Sequence, residues 1–473
     1  MNNEGRALTA KKACIRCSKS KKRCDRAIPC CGLCARLGQR CEYDTFKTSY
    51  FGPVSIASKT SLGSEAAAIK CLKDAVIREL DPLTPESTLL VYRGSIEPWF
   101  PIAYNLKDRL RPVWEEVTLD VALLCLSICL VTTNPSSILR SDGPQFTNTY
   151  LQTKSTLALA EALGMNSPPI VQSRILLTLF EVSHGFYPAA YISIATTLRA
   201  ADALEIHPMD EALQRQCISR AVSQEEACSI WGGILVLDRY IAIESGSQAS
   251  LTRPRVEWLN NLFRPVFCPT HMQDQDKNSP LVRFSRMVEA SAVLDKIHSA
   301  IHDPTSEHEF NKQEIILGVE TSITFRGLLA EEIPPQDHIY SSGIALCHIA
   351  LLLVFENSTR VASSMIATNY ENLFDTTMLK HILPTVASTV EPFTTGTWSM
   401  DLNYFPPLVT FLVYKAAMLT TQRLSLEIDD NEGLARLKAL RKFLSIVSER
   451  WLSCKRYLEI LDENTTPRML KAL

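Results

Sequence analysis

No apolar run in this 473-residue chain is long enough to cross a bilayer. The longest, Val121 to Val131, falls well short of the roughly 20 residues that a membrane helix needs. Residues 1–13 hold no apolar core of the kind that marks a secretory leader, which points to a soluble intracellular protein without a membrane partner. There is no Gly-rich phosphate loop, no Walker sequence and no Gly-x-Ser-x-Gly elbow, so nothing in the chain argues for an enzyme. Strand-like alternation is missing as well, which excludes a sheet as the organising element. Net charge is close to zero, with 49 Lys and Arg against 51 Asp and Glu.

That balance conceals a strong asymmetry. Residues 1–50 carry twelve Lys and Arg against four acids, while the rest of the chain is acidic. The same short segment contains six cysteines, Cys14, Cys17, Cys24, Cys31, Cys34 and Cys41, in a pattern written twice. Cys-x2-Cys-x6-Cys runs through Cys14, Cys17 and Cys24, then recurs seventeen positions later through Cys31, Cys34 and Cys41. A repeated set of thiolates is a soft-metal ligand set, and zinc takes four such ligands tetrahedrally. Two zincs need eight positions, and no histidine lies in the segment. Six thiolates fill eight positions if two of them bridge, and the leading residue of each half, Cys14 and Cys31, is the simplest choice. Cys30 breaks the repeat if it replaces Cys31 and is read as a free thiol beside the cluster. The rival readings are a disulfide framework or an iron–sulfur site.

Residues 13–44, ACIRCSKSKKRCDRAIPCCGLCARLGQRCEYD, resemble the DNA-binding domain of the fungal binuclear zinc cluster transcription factors. The resemblance implies two zinc ions, one held by Cys14, Cys17, Cys24 and Cys31, the other by Cys14, Cys31, Cys34 and Cys41. It also implies that residues after the second cysteine read CGG-type triplets of double-stranded DNA in the major groove. Lys21 occupies the characteristic base-reading position, where it can donate to guanine O6 and N7. Ser20 can bond a base or a phosphate, while Lys19, Lys22 and Arg23 are assigned to phosphates, which fix register without reading sequence. Arg16, Arg26, Arg36 and Arg40 flank them, and Pro29 is expected to orient the loop between the halves.

Beyond the cluster, residues 46–85 read as a linker with a short helix. Ile69, Leu72, Val76 and Leu80 form a stripe of about two heptads, too short for an independent coiled coil, so a helix docked on the body is favoured over a dimerising one. From residue 86 to 473 the periodicity predicts an all-α body, with helices near 117–133, 147–163, 170–183, 189–206, 224–244, 281–301, 341–355, 407–426 and 433–461. The helix ending at Ser183, Gly185-Phe-Tyr-Pro188, the Ala-rich helix ending in Leu204-Glu-Ile-His207, Trp231 and Leu237-Asp-Arg239 are similar to the middle homology region of the same family. Gly232 and Gly233 are expected to weaken their helix, since each costs roughly 1 kcal/mol against alanine. Asp238 and Arg239 read as a polar pair organising that domain.

His298 and His302 have the i,i+4 spacing of metal ligands, but no third ligand is evident and both are expected as solvated surface residues. His348 lies in an apolar run and reads as a satisfied core histidine. The acidic run at residues 427–432 is read as a solvated loop in preference to an activation patch.

The layout implies a nuclear, sequence-specific regulator of RNA polymerase II transcription, an activator of a fungal biosynthetic (secondary metabolite) gene cluster. Its partners would be DNA, the transcription machinery and a second copy through the helical body. The alternatives are a zinc module that binds another protein or RNA, a repressor, and a regulator of a primary catabolic pathway.

Overall fold

A computed structural model describes residues 13–27, 31–37, 62–103, 105–135, 145–206, 223–246, 248–253, 279–363, 381–426 and 430–466. Cys30, Cys41, Pro29, Arg40 and residues 46–61 of the expected linker lie outside the described residues. The chain divides into two compact units, residues 1–61 and 62–473. Among the described residues every regular element is helical.

The first unit has two five-residue helices, Ile15–Lys19 and Gly32–Arg36, set on a core made of cysteines. The second unit is a helical body with one continuous apolar core running from Leu72 to Leu461. The expected short helix is longer than its stripe suggested, spanning Leu62–Leu80. Leu72, Val76 and Leu80 bury its apolar side in the core of the body, where it packs on Leu119–Thr132. That helix is apolar on all sides and nearly all of its residues are buried, as a central helix must be. Pro85–Ser95 precedes it, started by a reciprocal cap between Thr84 and Ser87 and by Pro85 in the first turn. The buried hydroxyl of Tyr92 then accepts the Ala103 N–H at 3.0 Å and pins the turn that follows the helix.

From there the helices pack largely against their sequence neighbours. Leu119–Thr132 meets Pro168–Ser183, which touches Ala189–Ala203 and Gln224–Glu244. Gln224–Glu244 packs on Pro280–His302, which lies against His308–Glu332 and Ser342–Ser363. Leu408–Leu426, Asn431–Val447 and Ser453–Glu463 close the body.

Gly232 and Gly233 lie within the unbroken helix Gln224–Glu244. A Cβ on Gly232 would lie 2.8 Å from the Phe284 ring, and one on Gly233 would lie 2.9 Å from Ile102, so both glycines allow close approach of neighbouring elements. The expected 433–461 helix is two helices, broken around Arg450 and Trp451. Arg450 is buried and donates to the Val131 and Thr133 carbonyls at 2.6 and 3.1 Å, satisfying the carbonyl end of Leu119–Thr132. The Trp451 indole donates to the Phe405 carbonyl at 2.9 Å. Continuing the helix would withdraw both side chains from these partners.

Asp238 and Arg239 are both buried, but they serve different neighbours. Asp238 accepts the Leu251 and Thr252 N–H groups, whereas Arg239 donates to Ser291 Oγ at 2.7 Å. His298 is fully buried, not solvated. Its Nε2 bonds the Gly246 carbonyl at 2.7 Å and its Nδ1 faces Arg253 at 3.1 Å, which occupies both ring nitrogens. His348 is buried too, but its Nε2 has no partner among the described residues. Within the acidic run, Asp430 caps Asn431–Val447 by accepting the Gly433 N–H at 2.8 Å.

Candidate metal centre and nucleic-acid interface

The sequence repeat reappears as a repeat of local structure. Cys14 is the N-cap of Ile15–Lys19, and its sulfur accepts the Cys17 N–H at 3.4 Å. Cys31 is the N-cap of Gly32–Arg36, and its sulfur accepts the Cys34 N–H at the same 3.4 Å. The x2 spacing therefore places two sulfurs on one helical turn in each half, with amide donors on the leading one. Such donors favour thiolate over thiol.

The sulfurs of Cys14, Cys17, Cys24 and Cys31 all lie within 4.8 Å of one another. Cys14 and Cys31 are 3.8 Å apart, Cys17 and Cys31 3.8 Å, and Cys14 and Cys34 3.7 Å. Four sulfurs at about 2.3 Å from one zinc stand about 3.8 Å from each other, so the spacing fits a tetrahedral zinc edge. The hydrogen bond with the Cys14 thiol pushes Cys17 up to about 12, so zinc binding at that residue displaces a proton. Cys14 lies close to Cys31 and to Cys34, and Cys31 lies close to Cys14 and Cys17 while accepting the Cys34 N–H, an arrangement compatible with bridging by Cys14 and Cys31. The donor set thus fits zinc: Cys14, Cys17, Cys24 and Cys31 would hold one ion, and Cys14, Cys31 and Cys34 would contribute to the other. The ions, once bound, supply the charge and crosslinks that keep this small unit folded.

Asp25 joins the two halves of the unit. Its carboxylate accepts the Gly32 N–H with both oxygens, at 2.9 and 3.1 Å, and the Ala27 N–H at 3.3 Å. It thereby ties the end of the first half to the start of the second. A Cβ at position 32 would fall 2.6 Å from Asp25 Oδ2, so this tie requires glycine. The available signal was an acid directly after the third cysteine of an otherwise basic segment.

The five expected DNA-contacting residues are all exposed. Lys19 ends the first helix and Ser20 is its C-cap. Lys21 then turns left-handed, with φ of 48°. The Lys21 N–H reaches the Ser18 carbonyl at 3.1 Å and the Lys22 N–H reaches the Cys17 carbonyl at 2.9 Å, the paired bonds of a Schellman turn. The helix is consequently shorter than the x6 spacing allows, and Lys22 and Arg23 lead away from it towards Cys24. Glycine is the usual occupant of the position Lys21 holds, because a Cβ is strained there. A lysine at that point projects its ammonium from the tip of the turn.

Residues 12–50 match the fungal Zn(2)-Cys(6) binuclear cluster domain. That domain binds two zinc ions, and here it precedes an all-helical body. Over 141 residues the chain is 28% identical to a protein of Botryotinia fuckeliana (strain B05.10) described as "Transcription factor BOA15", covering 29% of this chain and 75% of that protein. No solved structure is a significant match.

Proposed function

We propose that the protein is a nuclear, sequence-specific DNA-binding regulator of transcription. The cluster-domain match and the relative described as a transcription factor support the regulator. The observation that carries DNA reading is the exposed run Lys19–Arg23, held by a cysteine core and turned outward at Lys21. In this reading Lys21 bonds guanine O6 and N7 in a CGG-type triplet, and Ser20 bonds a base or phosphate. Lys19, Lys22 and Arg23 bind phosphates. Residues 10–45 form the reading head, 46–85 the connection, and 86–473 a regulatory body that includes the middle homology region. The size and layout of the chain favour an activator of a biosynthetic gene cluster. An all-thiolate centre has no open coordination position, which argues against zinc catalysis.

One triplet carries too little information to single out a site in a genome, so the reading includes a second copy held through the body. Phe310, Leu317 and Leu328 support that part: all three are more than half exposed, and on the His308–Glu332 helix they share one face. The test is binding of the full chain to single and paired CGG half-sites across a salt series. Paired sites should bind more tightly through effective concentration. Lys22→Ala should weaken all duplexes alike and reduce the salt slope by roughly one. Equal affinity for CGG and scrambled duplexes would remove the sequence-specific reading.

A further inference from the structure

Four helices of the body, His308–Glu332, Ser342–Ser363, Ile382–Thr394 and Leu408–Leu426, together with the turn Pro335–Tyr340, surround a cavity of about 260 Å³. Its walls are mainly hydrocarbon, with Ile344, Val386, Val390 and Leu412 among them. No Asp or Glu lines it among the described residues. The polar groups are two threonines, two histidines and one arginine. Thr385 and Thr389 donate back into their own helix, and His338 Nε2 lies on the Ala330 and Ile333 carbonyls at 3.2 and 2.9 Å.

Two groups remain. The Arg326 Nε is buried without a hydrogen-bond partner, and its guanidinium belongs to no ion pair among the described residues. His348 is 6% exposed and its Nε2 is likewise buried without a partner. Buried donors are satisfied in nearly all folded proteins, so two buried nitrogens without partners on one cavity lining call for a polar occupant. A cavity with one fixed cation, an unfilled imidazole position and apolar walls is complementary to a molecule with one anionic end and a hydrocarbon body.

We propose that this cavity binds a small amphipathic carboxylate, with the carboxylate on Arg326 and His348 and the hydrocarbon against Ile344, Val386, Val390 and Leu412. Burial and the Arg326 charge hold His348 far down, at about 3, so the imidazole is neutral and can donate through Nε2 in the matching tautomer. One guanidinium matches a monoanion; a phosphate monoester would bring nearly two charges into the same hydrocarbon space. The volume is slightly below the roughly 300 Å³ lower bound of drug-sized pockets, which fits a metabolite of modest length.

Calorimetry of the full chain with hexanoate, octanoate and decanoate tests this, with octylamine and methyl octanoate as controls. At least one carboxylate should bind saturably, one per chain, with Kd below about 1 mM. The amine and the ester should bind at least about tenfold more weakly, as should every carboxylate to Arg326→Gln, because a charge-assisted bond is lost. Ala345→Leu keeps the charge but fills the space, and it should also lose binding. Cooperative melting of each variant, followed by helical circular dichroism, shows which are folded, and either folded variant suffices. Equal binding of octylamine, unchanged affinity in a folded Arg326→Gln or Ala345→Leu, or no saturable binding by any of the three carboxylates overturns the proposal.

Discussion

Replacing Lys21 with glycine should move two properties in opposite directions. The residue has φ of 48° and closes the Schellman turn with bonds of 3.1 and 2.9 Å, geometry that glycine adopts without strain. A left-handed L-residue costs roughly 1–2 kcal/mol, and glycine returns part of that through its greater freedom in the unfolded chain. The net gain is about 0.5–1 kcal/mol. Folding of the unit is coupled to its metal, so the gain should read as roughly two- to fivefold tighter zinc retention against a competing chelator. The same substitution removes the base-reading ammonium and should cost about 1–3 kcal/mol on a CGG duplex but little on a scrambled one. Lys21→Ala serves as the control, since it keeps the strain and loses only the contact. Weaker zinc retention in Lys21→Gly than in Lys21→Ala would refute the argument from backbone strain. Undiminished preference for CGG would refute the assigned role of the side chain.

Further outcomes follow from the same geometry. Cys31→Ser should lose zinc and DNA binding, because a bridging thiolate at that position serves both metals, whereas Cys30→Ser should retain two zincs per chain by elemental analysis. Gly232→Ala, although it improves helix propensity, should destabilise the body by about 1–3 kcal/mol in urea unfolding, because the new Cβ meets Phe284 at 2.8 Å. His348 stays neutral in the fold down to about pH 3, while the unfolded chain takes up its proton below about pH 6.5. Stability is therefore lost as pH falls, by about 2 kcal/mol from this residue at pH 5, and His348→Phe should flatten that part of the urea-midpoint profile.

The cysteine repeat was legible because ligand chemistry fixes residue type and spacing together, and the sulfurs of Cys14, Cys17, Cys24 and Cys31 do converge. The longer helices were legible wherever one apolar stripe met one neighbour. Two of the longer helices outside those patterns escaped for opposite reasons. His308–Glu332 carries Leu317 and Leu328 on its exposed side and glycine at a buried contact, where a Cβ on Gly318 would stand 2.5 Å from Ile297. Its pattern therefore inverts the usual one. Ile382–Thr394 contains Pro384 and Pro392, which read as breakers although they fall in its first and last turns. Asp25, His298 and the Arg326–His348 pair were unreadable because their partners lie in other parts of the chain or are backbone groups with no sequence signature. His298, for example, bonds a carbonyl 52 positions away.

The Arg450 contacts also set an order of events during synthesis. The carbonyls of Val131 and Thr133 wait for a guanidinium more than 300 residues further along the chain. At a translation rate of about 5–20 residues per second, that wait lasts tens of seconds. The ligands of the cysteine unit, by contrast, have all been made by residue 41. A nascent chain can therefore carry a finished metal-bound head long before its body closes, and truncation anywhere ahead of Arg450 would leave that head attached to a body that never seals its central helix.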